Sequence, residues 1–140
     1  MTNKLLSLLF LILLLLAGCN AAINMNGKVA GISSGRFVYQ DGDLTSNYKA
    51  DIDLVWKVCE KSVTELKATA IQKERKISSG IIKAVIQDEK VTIKVEYVDK
   101  DLTSISVFVG VVGNNMASRL IHDKIIGNLA KRQFMTEKPE

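Results

Sequence analysis

Between Val91 and Tyr97 the chain alternates strictly, with Val91, Ile93, Val95 and Tyr97 apolar and Thr92, Lys94 and Glu96 polar. Successive side chains of a β-strand point to opposite faces, so the pattern demands a strand with one face in a core and the other in water. Such a strand needs neighbours along its edges and a layer over its apolar side. The neighbours are visible in the flanking sequence. Ser78-Ser79-Gly80 leads into an apolar-rich run over residues 81–86, and the turn Gln87-Asp88-Glu89-Lys90 returns it beside Val91. After a second turn, Asp99-Lys100-Asp101, the residues Ile105, Val107, Val109 and Val111 point one way while Ser104 and Ser106 point the other. A shorter strand is expected through Ala70-Ile71-Gln72-Lys73, which makes about four consecutive strands.

The covering layer comes from two helices. Asp51 is a candidate N-cap, and after it Ile52, Val55, Trp56, Cys59, Val63 and Leu66 recur at helical spacing, with Lys57, Glu60, Lys61, Thr64 and Glu65 elsewhere around the cylinder. Trp56 and Cys59 are therefore expected in the core. Gly110, Gly113 and Asn114-Asn115 close the last strand and open a second helix, for which Met116, Leu120, Ile121, Ile125 and Leu129 are the expected apolar side. Ahead of the first helix, Asp41-Gly42 has the chemistry of a two-residue hairpin turn, placing Tyr39 opposite Leu44 with Phe37 on the same face. The order hairpin, helix, about four antiparallel strands, helix predicts an α+β fold with both helices packed on one face of the sheet.

The first residues follow a different logic. Met1-Thr2-Asn3-Lys4 is short and polar with one side-chain cation, and residues 5–16 are apolar apart from Ser7. That length suits the apolar region of a secretory signal and falls short of the roughly 20 residues that a membrane-spanning helix requires. Leu16-Ala17-Gly18-Cys19 then resembles the lipobox of bacterial lipoproteins in all four positions. The resemblance implies cleavage before Cys19, a thioether-linked diacylglycerol on its sulfur and a further acyl chain on the new amino terminus. Two or more chains give durable membrane residence where one holds only marginally, at about 0.8 kcal/mol for each buried methylene. Asn20, by likeness to enteric sorting rules, favours the outer membrane, facing the periplasm. The chain thus divides into a signal peptide over 1–18, a glycine-bearing tether over 19–35, one α+β domain over 36–133 and a frayed tail over 134–140. A domain of that size holds one core.

Loss of Lys4 with the signal leaves eighteen basic residues against fifteen acidic ones, a mild excess. Lys57, Lys61, Lys73, Arg75, Lys76, Lys131 and Arg132 are interleaved with acids, so the basic, aromatic-studded face of a nucleic-acid binder is missing. Lys73-Glu74-Arg75-Lys76 could at most touch anionic headgroups or another envelope polymer. Lipid on Cys19 leaves Cys59 without an intrachain partner. A Cys59–His122 nucleophilic pair would need the helices to face each other, and the apolar stripe argues instead for a buried Cys59 with His122 on the surface or edge of its helix. One histidine and one free thiol fall short of a transition-metal ligand set, and no cofactor is expected. The acid pairs Asp41/Asp43, Asp51/Asp53 and Asp99/Asp101 fall at turns and a helix start, where turn and dipole chemistry account for them.

Taken together, Phe37-Val38-Tyr39 with Gly42 and Leu44, Tyr48, Val55-Trp56, Ser79-Gly80 with Ile82, Val91-Thr92-Ile93, Thr103, Ile105, Val107, Val109-Gly110, Gly113 and Ser118 resemble a family of small bacterial lipoproteins grouped under a domain of unknown function, number 3568. Asn114 departs from it, since relatives often carry an acid there. The resemblance implies a fold and an envelope setting and brings no catalytic residue. The expectation is a membrane-anchored, non-enzymatic lipoprotein whose domain binds another envelope protein or polymer. The alternative is a carrier or sensor of a small apolar ligand held between sheet and helices.

Overall fold

The computed structural model describes residues 36–136. Within them the elements run β1 (Val38–Gln40), β2 (Asp43–Tyr48), α1 (Ile52–Glu65), β3 (Thr69–Arg75), β4 (Ser79–Ile86), β5 (Glu89–Asp99), β6 (Leu102–Val109) and α2 (Asn115–Thr136). The strands form one antiparallel sheet in the order β1-β2-β6-β5-β4-β3. The fold is α+β, and the sheet has six strands rather than about four, because the hairpin strands extend it beyond β6.

Turn chemistry sets the register. Asp41 and Gly42 both take positive φ, 52° and 87°, the primed geometry that matches strand twist. Tyr39 consequently pairs with Leu44 and Gln40 with Asp43. Across the sheet, Leu44 stands opposite Val107, Val107 opposite Ile93, and Ile93 opposite Ile82. These four are all buried, so the alternation visible in β5 propagates through its neighbours as a single apolar face. The opposite face carries Thr45, Ser106, Lys94 and Ile81 in the adjacent row, and it is polar and partly open.

Helix α1 begins where Asp51 caps it: the carboxylate accepts from the N–H groups of Asp53 at 3.0 Å and Leu54 at 2.9 Å. Its buried residues Val55, Trp56, Val58, Cys59 and Val63 join Ile121, Ile125 and Leu129 of α2 and the apolar sheet residues in one core cluster. Gly80 admits Trp56, since a Cβ at that position would stand 2.3 Å from the indole ring. At the other end of the sheet, Gly113 lies against Gly42, and a Cβ there would stand 2.3 Å from the Gly42 Cα. The connection into α2 is thereby locked onto the first hairpin.

Two expectations about the last third of the chain are corrected. Strand β6 ends at Val109, and Gly110 at φ 82° turns the chain outward, so Val111 leaves the core face and is exposed. Helix α2 buries Ser118, Ile121, His122, Ile125, Asn128 and Leu129, while Met116 and Leu120 face outward. Ile121, Ile125 and Leu129 face the core as expected, but the inner stripe also holds three polar residues in place of Met116 and Leu120. The helix runs through Thr136.

Candidate functional site

Cys19 lies outside the described residues. Cys59 is fully buried, and burial pushes its thiol up to about 12, so it stays protonated and unreactive at neutral pH. His122 is also fully buried, contrary to the surface or edge position expected for it. The reason is a pair of hydrogen bonds from outside its helix. The Leu44 carbonyl, which can only accept, lies 2.8 Å from Nε2, so Nε2 carries the proton. Nδ1 of the neutral ring then accepts from the Tyr48 hydroxyl at 2.6 Å. Burial lowers the His122 pKa and raises that of Tyr48, so both stay neutral. With both ring nitrogens engaged, His122 has none free to activate Cys59.

Rings extend this contact outward. Phe37 meets His122 edge-on at 5.0 Å, and the Arg119 guanidinium lies 4.0 Å over the Phe37 ring while bonding Asp123 at 3.1 Å. The series Tyr48, His122, Phe37, Arg119 thus ties β2, α2 and the segment before β1 together. Its members Tyr48 and His122 are buried, whereas Arg119 is exposed. Sequence reasoning missed this cluster; the one available signal is the spacing of Ser118, His122 and Ile125, which share a helix face.

A second polar cluster clamps the helices. Asn128 donates to Ser62 Oγ at 3.0 Å and to Glu65 Oε2 at 2.9 Å, and Lys124 reaches the same carboxylate oxygen at 2.8 Å. The hydrogen bonds from Lys124 and Asn128 hold the Glu65 carboxyl down to about 2. Three further acids have partners: Asp43 pairs with Lys94 at 3.1 Å, Asp53 with Arg75 at 2.9 Å, and Asp99 accepts from the Lys100 N–H at 2.7 Å. In Lys73-Glu74-Arg75-Lys76 each cation faces an acid, with Glu60 opposite Lys73 at 2.9 Å and Glu74 beside Lys76 at 3.5 Å. Among the described residues no group of three His, Cys, Asp or Glu side chains could hold a metal, and no helix is long and apolar enough to cross a membrane.

What stays open is apolar surface around the first half of α2. Met116 and Leu120 form a ridge, 78% and 65% exposed. On one side lies an open groove of about 560 Å³ lined by Phe37, Tyr39, Leu44 and Arg119. On the other is a recess of about 280 Å³ between the sheet and both helices, lined by Leu66, Ile86, Val91, Val109 and Ile121 with Gln87 and Glu89 at its rim. Val111 and Val112, 92% and 85% exposed, lie in the connection between β6 and α2.

A six-stranded antiparallel sheet with two helices defines a small α+β domain. The chain belongs to the family described as a protein of unknown function, DUF3568, whose model matches residues 3–128. No curated protein matches it.

Proposed function

We propose that the chain is a bacterial envelope lipoprotein, anchored by lipid on Cys19 in the outer membrane and facing the periplasm, whose domain acts by binding another envelope component and not by catalysis. The observation that carries this reading is the Met116–Leu120 ridge with a groove on one side and a recess on the other. Contiguous apolar surface on a small domain marks an interaction site more often than it is left idle. The ridge borders both the groove and the recess, which leaves apolar surface on α2 open to a partner. The buried thiol and the doubly bonded imidazole support a non-enzymatic role, and the three cations of Lys73-Glu74-Arg75-Lys76 are each paired with an acid.

A photo-crosslinking amino acid in place of Met116, in the full chain and in intact cells, tests it. The expected result is a covalent adduct to an envelope protein, polymer or lipid, identified by mass. Irradiated cells that yield only the unmodified chain would overturn the reading.

The recess favours a second reading, carriage of a small apolar ligand. Its volume of about 280 Å³ is roughly twice that of an apolar cavity known to admit benzene. Native mass spectrometry of protein made in cells should show a bound mass that a bulky Ala117→Phe substitution removes; apo masses alone would sink this reading.

A further inference from the structure

Half of the large apolar side chains exposed among the described residues, Val38, Tyr39, Val111, Val112, Met116 and Leu120, belong to one edge of the molecule. Shared contacts join Tyr39, Val112, Met116 and Leu120 there, and Val38 lies on the other face of the same strand as Tyr39. Strand β1 is the edge strand, Tyr39 shares the groove with Met116 and Leu120, and the Val112 carbonyl is packed against Gly42 in the β1–β2 turn. Gly110 and Gly113, both at positive φ, bracket Val111 and Val112 and present them as a tip.

We infer that this edge rests on the lipid bilayer to which Cys19 is attached, with Val111, Val112, Met116 and Leu120 inserted at the headgroup–acyl boundary. The inference rests on the anchored reading above and names the partner of its binding ridge. The place where the chain outside the structure ends selects the bilayer. The described chain begins at Arg36 and passes directly into Phe37, a wall of the groove, so the anchored segment joins the domain at this edge. Sixteen residues separate Cys19 from Arg36, a span of at most about 60 Å even when fully extended. Confinement within that distance of the membrane corresponds to an effective concentration on the order of millimolar, at which a weakly adhesive patch is occupied. The patch chemistry fits the site as well. Aliphatic tips beside Tyr39 and an arginine stacked on an aromatic ring, Arg119 over Phe37, match a surface that is apolar below and phosphate-bearing above.

The test uses the mature full chain, with lipid on Cys19 verified by mass, in vesicles of phosphatidylethanolamine and phosphatidylglycerol. Nitroxide labels are placed through Val112→Cys and Met116→Cys, and through Thr92→Cys and Lys83→Cys on the open sheet face as controls. Cys59 is fully buried and stays unlabelled. All four substitutions lie outside the core. The expected result is at least a threefold lower collision rate with a water-soluble nickel chelate at 112 and 116 than at 92 and 83, with a higher rate for oxygen. A Val111→Asp/Val112→Asp pair should restore water access at 116. Equal access at all four positions on verified lipidated protein would overturn the inference while leaving the anchor intact. Protection at 112 and 116 that persists without vesicles and rises with protein concentration would assign the edge to a second copy of the chain. A protein or polymer adduct at Met116 in cells would overturn the bilayer as partner but keep the ridge as a binding site. Absence of lipid on Cys19 would remove both this inference and the anchored reading.

Discussion

Neutral His122 bridges a phenol and a backbone carbonyl that come from β2, more than seventy residues earlier in sequence. Replacing Tyr48 by Phe leaves the apolar contacts and removes the donor to Nδ1. A buried acceptor without a partner costs about 1–3 kcal/mol, so Tyr48→Phe should lower the unfolding free energy obtained from urea titration by that margin. The same site predicts a pH dependence. The folded-state pKa of His122 lies below its ordinary value of 6.5 because burial disfavours the charged ring. The unfolded chain then binds a proton more readily, so this contribution is complete above pH 6.5 and is lost as pH falls through that value towards the folded pKa. Urea titrations should show declining stability from pH 7 to 5, and His122→Gln should flatten that decline. Glu65 acts in a separate window. Its carboxyl is held down to about 2 from an ordinary 4.5, so its contribution is intact above 4.5 and fades only as pH drops towards 2.

Elements with local signals were legible, and those fixed by distant partners were not. Asp41-Gly42 dictates its turn from within the dipeptide, and Asp51 caps α1 through its own next residues, so the hairpin and the first helix follow from sequence. Helix α2 does not. Ser62 and Glu65 bind Asn128, and Leu44 and Tyr48 bind His122, and these partners are needed before a polar residue can face inward. Without them the reading slides to Met116 and Leu120, which the structure turns outward. The end of β6 failed for a related reason, since the alternation runs on to Val111 and only the positive φ of Gly110 breaks it. Close packing between elements gives a sharper test. An alanine methyl at Gly80 would overlap the Trp56 ring between β4 and α1. Overpacking of this kind costs about 1–3 kcal/mol, and thermal unfolding of Gly80→Ala should show a correspondingly lower midpoint.

For the whole molecule, the α+β class and the family follow from patterning spread along the chain, whereas the ridge, groove and recess arise only when β1, the β6–α2 connection and α2 converge. No window of sequence contains them. Cys59, at the centre of the core cluster, reports on the integrity of that assembly. With Cys19 replaced by Ser to leave it the only thiol, Cys59 should react with a thiol reagent only through global opening. Its labelling rate should therefore rise with urea in step with the equilibrium unfolding curve. Labelling that is fast in buffer alone would show a local opening that the core packing does not anticipate.

The chain has one tryptophan, and Trp56 fills the notch that Gly80 leaves, with the Arg75 guanidinium 5.7 Å from its ring centroid. An indole so enclosed emits towards the blue and is sensitive to the cation beside it. It sits on α1 against β4, across the sheet from the edge formed by β1 and the start of α2. The protein therefore carries an intrinsic optical label that changes when the helix leaves the sheet and stays quiet when something settles on the far edge. Emission wavelength can then separate loss of fold from occupancy without any dye.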